Sequence, residues 1–370
     1  MHKGISGTES ISAEDRERLT EAGLEFDAVN RCGSFFQIDQ EIVHSSCSEQ
    51  GIEIYPIADA LSRFPWLAEY AWKLVSPDKD EYTRYVADRP EPKGYVIIAR
   101  KGSKNIMPLQ ACLFLEHAPI QHVHNIIIAE EGAELHLITG CASSHTTENG
   151  AHYGVTEFYI GKNARISTTM IHKWGEKIDV LPRSAARVEE GGTFLSNYVA
   201  LSPVRHVQMY PVADLAGTGA VARFHSVVVA PPGSLLDLGS RVLMNAPDTH
   251  AEIVSRSITR GGTVIARSHI SGRMEDTRGH IECKGLILAD GVIHAIPEIE
   301  GQVTGTELSH EAAVGKIARD EIEYLMARGL DEEEATATII RGFLDVRIAG
   351  LPAVLQKQID AAIDAAEKGF

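Results

Sequence analysis

The sequence has few cysteines and no pairing pattern among them. Cys32, Cys47, Cys112, Cys141 and Cys283 are scattered without a CxxC motif. Neither a disulfide frame nor a preformed zinc site is expected, and the thiols read as reduced. Aromatic residues are scarce, at 6%. Basic residues are outnumbered: 35 Lys and Arg against 51 Asp and Glu give a formal net charge of −16. Such a chain repels phosphate backbones and anionic lipid, so neither nucleic acid nor a membrane is an expected partner. No apolar run spans a bilayer; Asn125-Ile126-Ile127-Ile128-Ala129 is far too short. The opening MHKGISGTES has no apolar stretch behind its basic residue, so no secretory leader is expected and a cytoplasmic setting is. GxxxxGK[ST], GxGxxG after a strand and GxSxG are all missing, which removes nucleotide binding and the common hydrolase sites.

What is present falls into three textures. Residues 1–93 read as an N-terminal helical region, with Ser12 and Asp15 at a helix start and a helical pattern from Ala58 to Val75. Pro90 and Pro92 mark its boundary, because each proline pushes its predecessor out of the helical region. Residues 94–305 change to short β-rich runs broken by turns that resemble one another: AEEGAEL, IGKNARI, EEGGTFL, PPGSLLD, RGGTVIA and ADGVIHA. Their pivots are Gly132, Asn163, Gly192, Gly233, Gly262 and Gly291, at intervals of 31, 29, 41, 29 and 29. Near-regular turn-plus-strand recurrence indicates a solenoid whose units bury their apolar faces only by stacking. The expected fold is mainly β: a parallel β-helix flanked by helical ends. Residues 306–370 read as a C-terminal helical domain. Ser309 is the expected cap of a helix ending at Gly329, Asp331 and Glu334 a capping box for the next, and Pro352 the opening of a third.

Cys283 is followed 27 and 28 positions later by His310 and Glu311, close to one coil of the repeat. Stacking would bring thiol, imidazole and carboxylate together, a donor set that suits iron. Taken singly, a cysteine is usually a small buried hydrophobe and a His-Glu pair a polar helix cap. His122 and His124 share a strand face and read as a surface or core pair. Cys141 reads as structural, or as a second thiol on a sulfur path. Paired carboxylates in a β-helix groove would instead serve a lyase or glycosidase, with Glu275, Asp276 and Asp290 available. That alternative sits poorly with the low aromatic content.

Several segments carry a family resemblance: LSRFPWLAEYAWKLVSPDKD, AEEGAELHLITGC, ARVEEGG, MYPVADLAGTGAVARFHSVVVAPPGS and, most specific, SHEAAVGKI with EIEYLMARGL and IIRGF. From about Ile57 to about Gly350 the chain resembles the SufB/SufD family of iron–sulfur cluster assembly scaffolds. The resemblance implies a right-handed parallel β-helix and a non-enzymatic scaffold that builds a transient iron–sulfur cluster and passes it to apo-proteins. It implies that Cys283, Glu311 and His310 are cluster ligands. It also implies a SufC-like ATPase of the ABC type docked on Glu321–Gly329 and Ala335–Phe343, with Tyr324, Leu325, Ile339 and Phe343 as anchors. The missing P-loop fits an ATPase supplied by a partner. A homodimer is expected along the late strands, Thr277 to Pro297, through an unpaired edge. Two positions depart from the SufB pattern. Ser309 stands where SufB-type proteins often have Glu, and Val212, Ala213 and Asp214 occupy the neighbourhood of the sulfur-accepting cysteine of bacterial SufB.

Overall fold

The computed structural model describes residues 4–288 and 290–344. Eight corner residues set the architecture. Gly102, Gly132, Asn163, Gly191, Gly219, Asp248, Asp276 and Gly305 all adopt left-handed backbone, φ between 54° and 84°, at intervals of 28 to 31 residues. Each turns the chain from one sheet to the other, and Gly, Asn and Asp are the residues that tolerate that conformation best. Between corners the chain lays a strand on each of two walls. The second-wall strand is split in two in the coils that carry Ile178–Val180 with Arg183–Val188 and His206–Met209 with Val212–Leu215. The result is a parallel β-solenoid of about eight coils.

The first wall runs from Gly33–Ile38 through Leu109–Leu115 and successive strands to His250–Thr259, Arg278–Ile287 and Glu307–Gly315. The second runs from Tyr95–Ala99 through Ile120–Ala129 to Leu235–Met244, Thr263–Gly272 and Val292–Gly301. All of these pair in parallel. At the N-terminal end Glu41–Cys47 pairs antiparallel with Gly33–Ile38, and Ile52–Pro56 antiparallel with Tyr95–Ala99, which closes the stack. Alternate side chains point into a continuous apolar lumen, including Leu137, Ile166, Phe194, Phe224, Ile253 and Ile281. Each such burial contributes roughly 1.5–3 kcal/mol.

Outer faces are covered by local elements. The Ala13–Glu21 helix packs Leu19 and Ala22 against Phe36, Cys112 and Phe114. The Ile57–Arg63 helix and the Pro65–Glu69 turn of 3-10 helix pack Ile57, Ala60 and Leu67 on Val96, Ile98 and Ile126. The Glu332–Leu344 helix lays Ile340 and Leu344 on Val227, Val229, Ile258 and Leu286. Among the described residues no helix is long and apolar enough to cross a membrane.

Several expectations need correction. The N-terminal region is not wholly helical, because Gly33–Ile38, Glu41–Cys47 and Ile52–Pro56 are strands. The turn at Asp39 (φ 49°) folds the first two into a hairpin that caps the lumen, where Phe35 is fully buried. The helical pattern from Ala58 to Val75 breaks at Pro65. Ser309 caps no helix: Glu307–Gly315 is a strand in register with Arg278–Leu286, and the helix starts only at Arg319. Pairing with the coil below overrides the local helical pattern. The six pivots mix two corners. Gly233 and Gly261 lie on the opposite corner from Gly191, which produces the 41-residue interval and hides Gly219. Gly192 and Gly262 each follow the left-handed residue by one. Gly291 has no left-handed backbone; it lets the turn press on Thr259. The caps at Ser12 and at Asp331 with Glu334 do form; in the second, Glu334 N–H donates to Asp331 at 2.8 Å and Asp331 N–H to Glu334 at 3.0 Å. The helix expected at Pro352 lies outside the described residues.

Candidate functional site

Cys283 sits in the Arg278–Ile287 strand, in register with Ser255 on the coil before and Ala312 on the coil after. Its neighbour two residues away, Ile281, is fully buried in the lumen. Cys283 therefore points inward, 2% exposed. Its sulfur lies 3.6 Å from the Ser268 hydroxyl, which reaches across from the other wall. Burial pushes the thiol upward, and the Ser268 contact only partly opposes this. The thiol is protonated at neutral pH until something binds it.

His310 is the register partner of Ile281 and shares the lumen face with Cys283, two residues off its direct partner Ala312. Glu311 is the partner of Glu282 and lies on the outer face. There it meets Lys284 at 3.3 Å; Lys284 also reaches Glu282 at 3.4 Å, and Glu282 pairs with Arg256. Burial works to raise the Glu282 carboxyl, and the Arg256 guanidinium more than offsets it, leaving it below the usual carboxylate range. The strand thus brings Cys283 and His310 to one face and puts Glu311 behind the wall. No coil among the described residues stacks beyond Glu307–Gly315, so His310, Glu311 and Ala312 are all exposed. Among the described residues no group of three His, Cys, Asp or Glu stands ready-made to hold a metal.

The lumen above Cys283 is polar along one column. Ser226, Ser255, Cys283 and Ala312 stack in register on one wall, and Ser240, Ser268 and Pro297 on the other. A cavity of about 70 Å³ runs along this column, from Ser255 and Ser268 past Ser226 and Tyr198 to His172, His152 and Cys141. That volume has room for water among these polar groups. Tyr198 and His172 are 2.9 Å apart, as are His152 and Gln121. Burial lowers His152 to about 3 and His172 well below its ordinary value, so both imidazoles are neutral. Burial pushes the Cys141 thiol up to about 12. The serine column was missed from sequence, although its members recur one coil apart.

The remaining candidates are structural. His124 Nε2 lies 2.8 Å from Glu157 and its ring packs on Trp72 at 4.2 Å; His122 faces Tyr85. Both are buried, as a core pair should be. Asp276 serves as a left-handed corner rather than as half of a carboxylate pair. Of the four residues expected as docking anchors, Phe343 packs on the solenoid with Ile340 and Leu344. Tyr324, Leu325 and Ile339 instead line a shallow surface pocket with Asp320 and Glu321, and Tyr324 is 56% exposed. The expected free edge, Thr277 to Pro297, is found only in its later part. Arg278–Ile287 is paired on both sides, whereas Val292–Gly301 and Glu307–Gly315 each end their sheet.

The family model described as SUF system FeS cluster assembly, SufBD core domain, matches residues 114–343. An Archaeoglobus fulgidus protein named iron-sulfur cluster assembly SufBD family protein is 47% identical over all of this chain and 99% of its own length. A Methanothermobacter thermautotrophicus protein of the same name is 41% identical, covering all of this chain and 92% of its own. A Staphylococcus aureus protein with that family name is 31% identical over 85% of this chain and 70% of its own.

Proposed function

This chain belongs to the SufBD family of iron–sulfur cluster assembly proteins, and on that footing we propose that it is the non-enzymatic scaffold of a cytoplasmic assembly complex. Its substrate is the nascent cluster, iron and sulfide, which it passes on to apo-proteins. Cys283 supplies the thiolate and His310, on the same face, an imidazole; soft and borderline donors of this kind suit iron. Glu311 joins them only if the terminal strand shifts or a second chain presents its own copy, since here it faces Lys284. The observation that carries the reading is the position of Cys283. It is a buried thiol one strand below the exposed end of the solenoid, with exposed Ala312 as its register partner on that side.

The same end supports self-association. Val292–Gly301 and Glu307–Gly315 offer unpaired edges, and Ile296, Ile299, Val303 and Val314 are each 37–42% exposed there. A two-fold pairing of these edges satisfies both and brings two Cys283 regions together. A SufC-like ABC-type ATPase docks on the face of the C-terminal helices that the solenoid leaves free, around Tyr324, Leu325 and Ile339.

Anaerobic reconstitution of the full chain with iron and sulfide, followed by absorption and Mössbauer spectroscopy, tests the scaffold role. Wild type acquires a cluster, and Cys283→Ala does not. Equal cluster content in both removes Cys283 from the site.

A further inference from the structure

Two cysteines far from Cys283 touch each other. Cys32 immediately precedes the Gly33–Ile38 strand, and Cys47 ends the antiparallel Glu41–Cys47 strand opposite Gly33. The two lie 15 residues apart in sequence, and the Cys47 thiol donates to the Cys32 carbonyl at 3.5 Å. Gly33 permits the approach. A Cβ there would stand 2.9 Å from the Cys47 Cα and 3.0 Å from its Cβ. Both sulfurs are free thiols. Their surroundings differ. Cys32 is 4% exposed, held by the Asn105 amide at 3.6 Å, and belongs to the lumen core. Cys47 is half-buried.

We propose that Cys47 and Cys32 form a dithiol exchange site at the N-terminal cap, taking small-molecule disulfides, with Cys47 as the attacking and Cys32 as the resolving sulfur. The Cys47 thiolate attacks one sulfur of RSSR, the S–S bond breaks, and RS⁻ leaves and takes up a proton. Cys32 then gives up its proton, its sulfur attacks Cys47, and the second RS⁻ leaves as RSH. Two protein thiols are oxidised to one disulfide, and one RSSR is reduced to two RSH. The product ties the two strands of the capping hairpin together. The hydrogen bond from Cys32, with further donors from the backbone at Glu49 and Ser48, holds the Cys47 thiol below its ordinary value. The same contact, with burial, holds Cys32 above its own. Division of labour between a more accessible, more easily ionised sulfur and a buried partner suits such exchange.

The test uses reduced full-length protein treated anaerobically with oxidised glutathione, quenched with an alkylating agent and mapped by peptide mass spectrometry. Wild type yields a Cys32–Cys47 linked peptide. Cys32→Ser accumulates a glutathione mixed disulfide on Cys47, formed at least about tenfold faster than on the buried Cys112 or Cys141. Cys47→Ser yields no bridge and leaves Cys32 unmodified over the same period. Circular dichroism confirms that each variant is folded, and alkylation of untreated wild type, fastest at Cys47, gives the order of reactivity without any substitution. The proposal fails if Cys47 remains unmodified in Cys32→Ser, or if Cys32 reacts first in wild type. Neither readout depends on cluster assembly.

Discussion

Cys283 and Glu311 stand on adjacent strands of one wall, and they face opposite ways. Cys283 points into the lumen toward Ser268, while Glu311 points outward to Lys284. This divides the expected ligand set by role. Removing the inward thiol and removing the outward carboxylate should therefore have different consequences. Cys283→Ala should eliminate cluster retention with a stability loss of about 1 kcal/mol, since only a small buried group is removed. Glu311→Gln should reduce reconstituted cluster by a few-fold at most while the chain is monomeric. Iron and sulfide content per chain, with a denaturant titration on each variant, checks both. Complete loss in Glu311→Gln monomer would mean that the terminal strand reorients on binding.

How far this was legible in the sequence turns on a single residue of pitch. The recurrence near 29 residues was enough to read a stacked β-helix and to place Cys283 near His310 and Glu311. The register partner of Cys283 is Ala312, at a separation of 29, whereas Glu311 lies at 28. Strand side chains alternate with period two, so that one residue moves Glu311 to the other face. The corners at Asp248 and Asp276 escaped notice because aspartate in left-handed backbone carries no sequence mark as clear as glycine. The Glu307–Gly315 strand was hidden for another reason. Its composition suits a helix, and only the hydrogen-bonding edge of the preceding coil makes it a strand.

Acid should loosen the solenoid from within. His122, His152 and His172 are buried neutral, with His152 lowered to about 3 and His122 to about 4. In the unfolded chain each binds a proton near its ordinary value of 6.5, so the unfolded state binds more protons below that pH. The sign is fixed by this. Stability is full above about pH 6.5 and falls as pH drops from there toward the folded values. Denaturant midpoints at pH 7.5, 6 and 5 should decline in that order. His152→Leu should lower stability at pH 7.5, because Gln121 loses its partner, and should flatten the decline. A midpoint independent of pH between 7.5 and 5 would contradict the neutral burial.

Glu157 should behave as a latch for the segment between the N-terminal helices. Its carboxylate accepts the backbone N–H of Trp72 and Leu74 at 2.6 Å and of Val75 at 3.1 Å, and meets His124 at 2.8 Å. Burial works to raise this carboxyl, and the His124 and backbone donors more than offset it, so it stays below the ordinary range. Its contribution is present above the unfolded carboxyl value and is lost as pH falls through the lower folded one. Glu157→Gln leaves His124 or one of the N–H groups without its acceptor, at a cost of about 1–3 kcal/mol. Hydrogen exchange should show Trp72, Leu74 and Val75 amides losing protection before the solenoid strands do.

The C-terminal helices present two faces, and substitutions on them should separate cleanly. Phe343, Ile340 and Leu344 lie against Val227, Val229, Ile258 and Leu286 on the outer wall. Tyr324, Leu325 and Ile339 line the shallow pocket on the other side, beside Asp320 and Glu321. Apolar anchors ringed by polar residues are the usual core of a protein interface. Ile340→Ala should therefore cost about 2–5 kcal/mol of stability through the cavity it leaves, whatever the partner does. Tyr324→Glu should change stability by about 0.5 kcal/mol or less, since its side chain is largely in solvent. Co-purification with the proposed ABC-type ATPase should show the reverse order: abolished or strongly weakened by Tyr324→Glu, and retained by whatever fraction of Ile340→Ala stays folded. If Tyr324→Glu and a charge placed at Leu325 both leave co-purification intact, the ATPase docks elsewhere, and the N-terminal helices on the other wall become the surface to test.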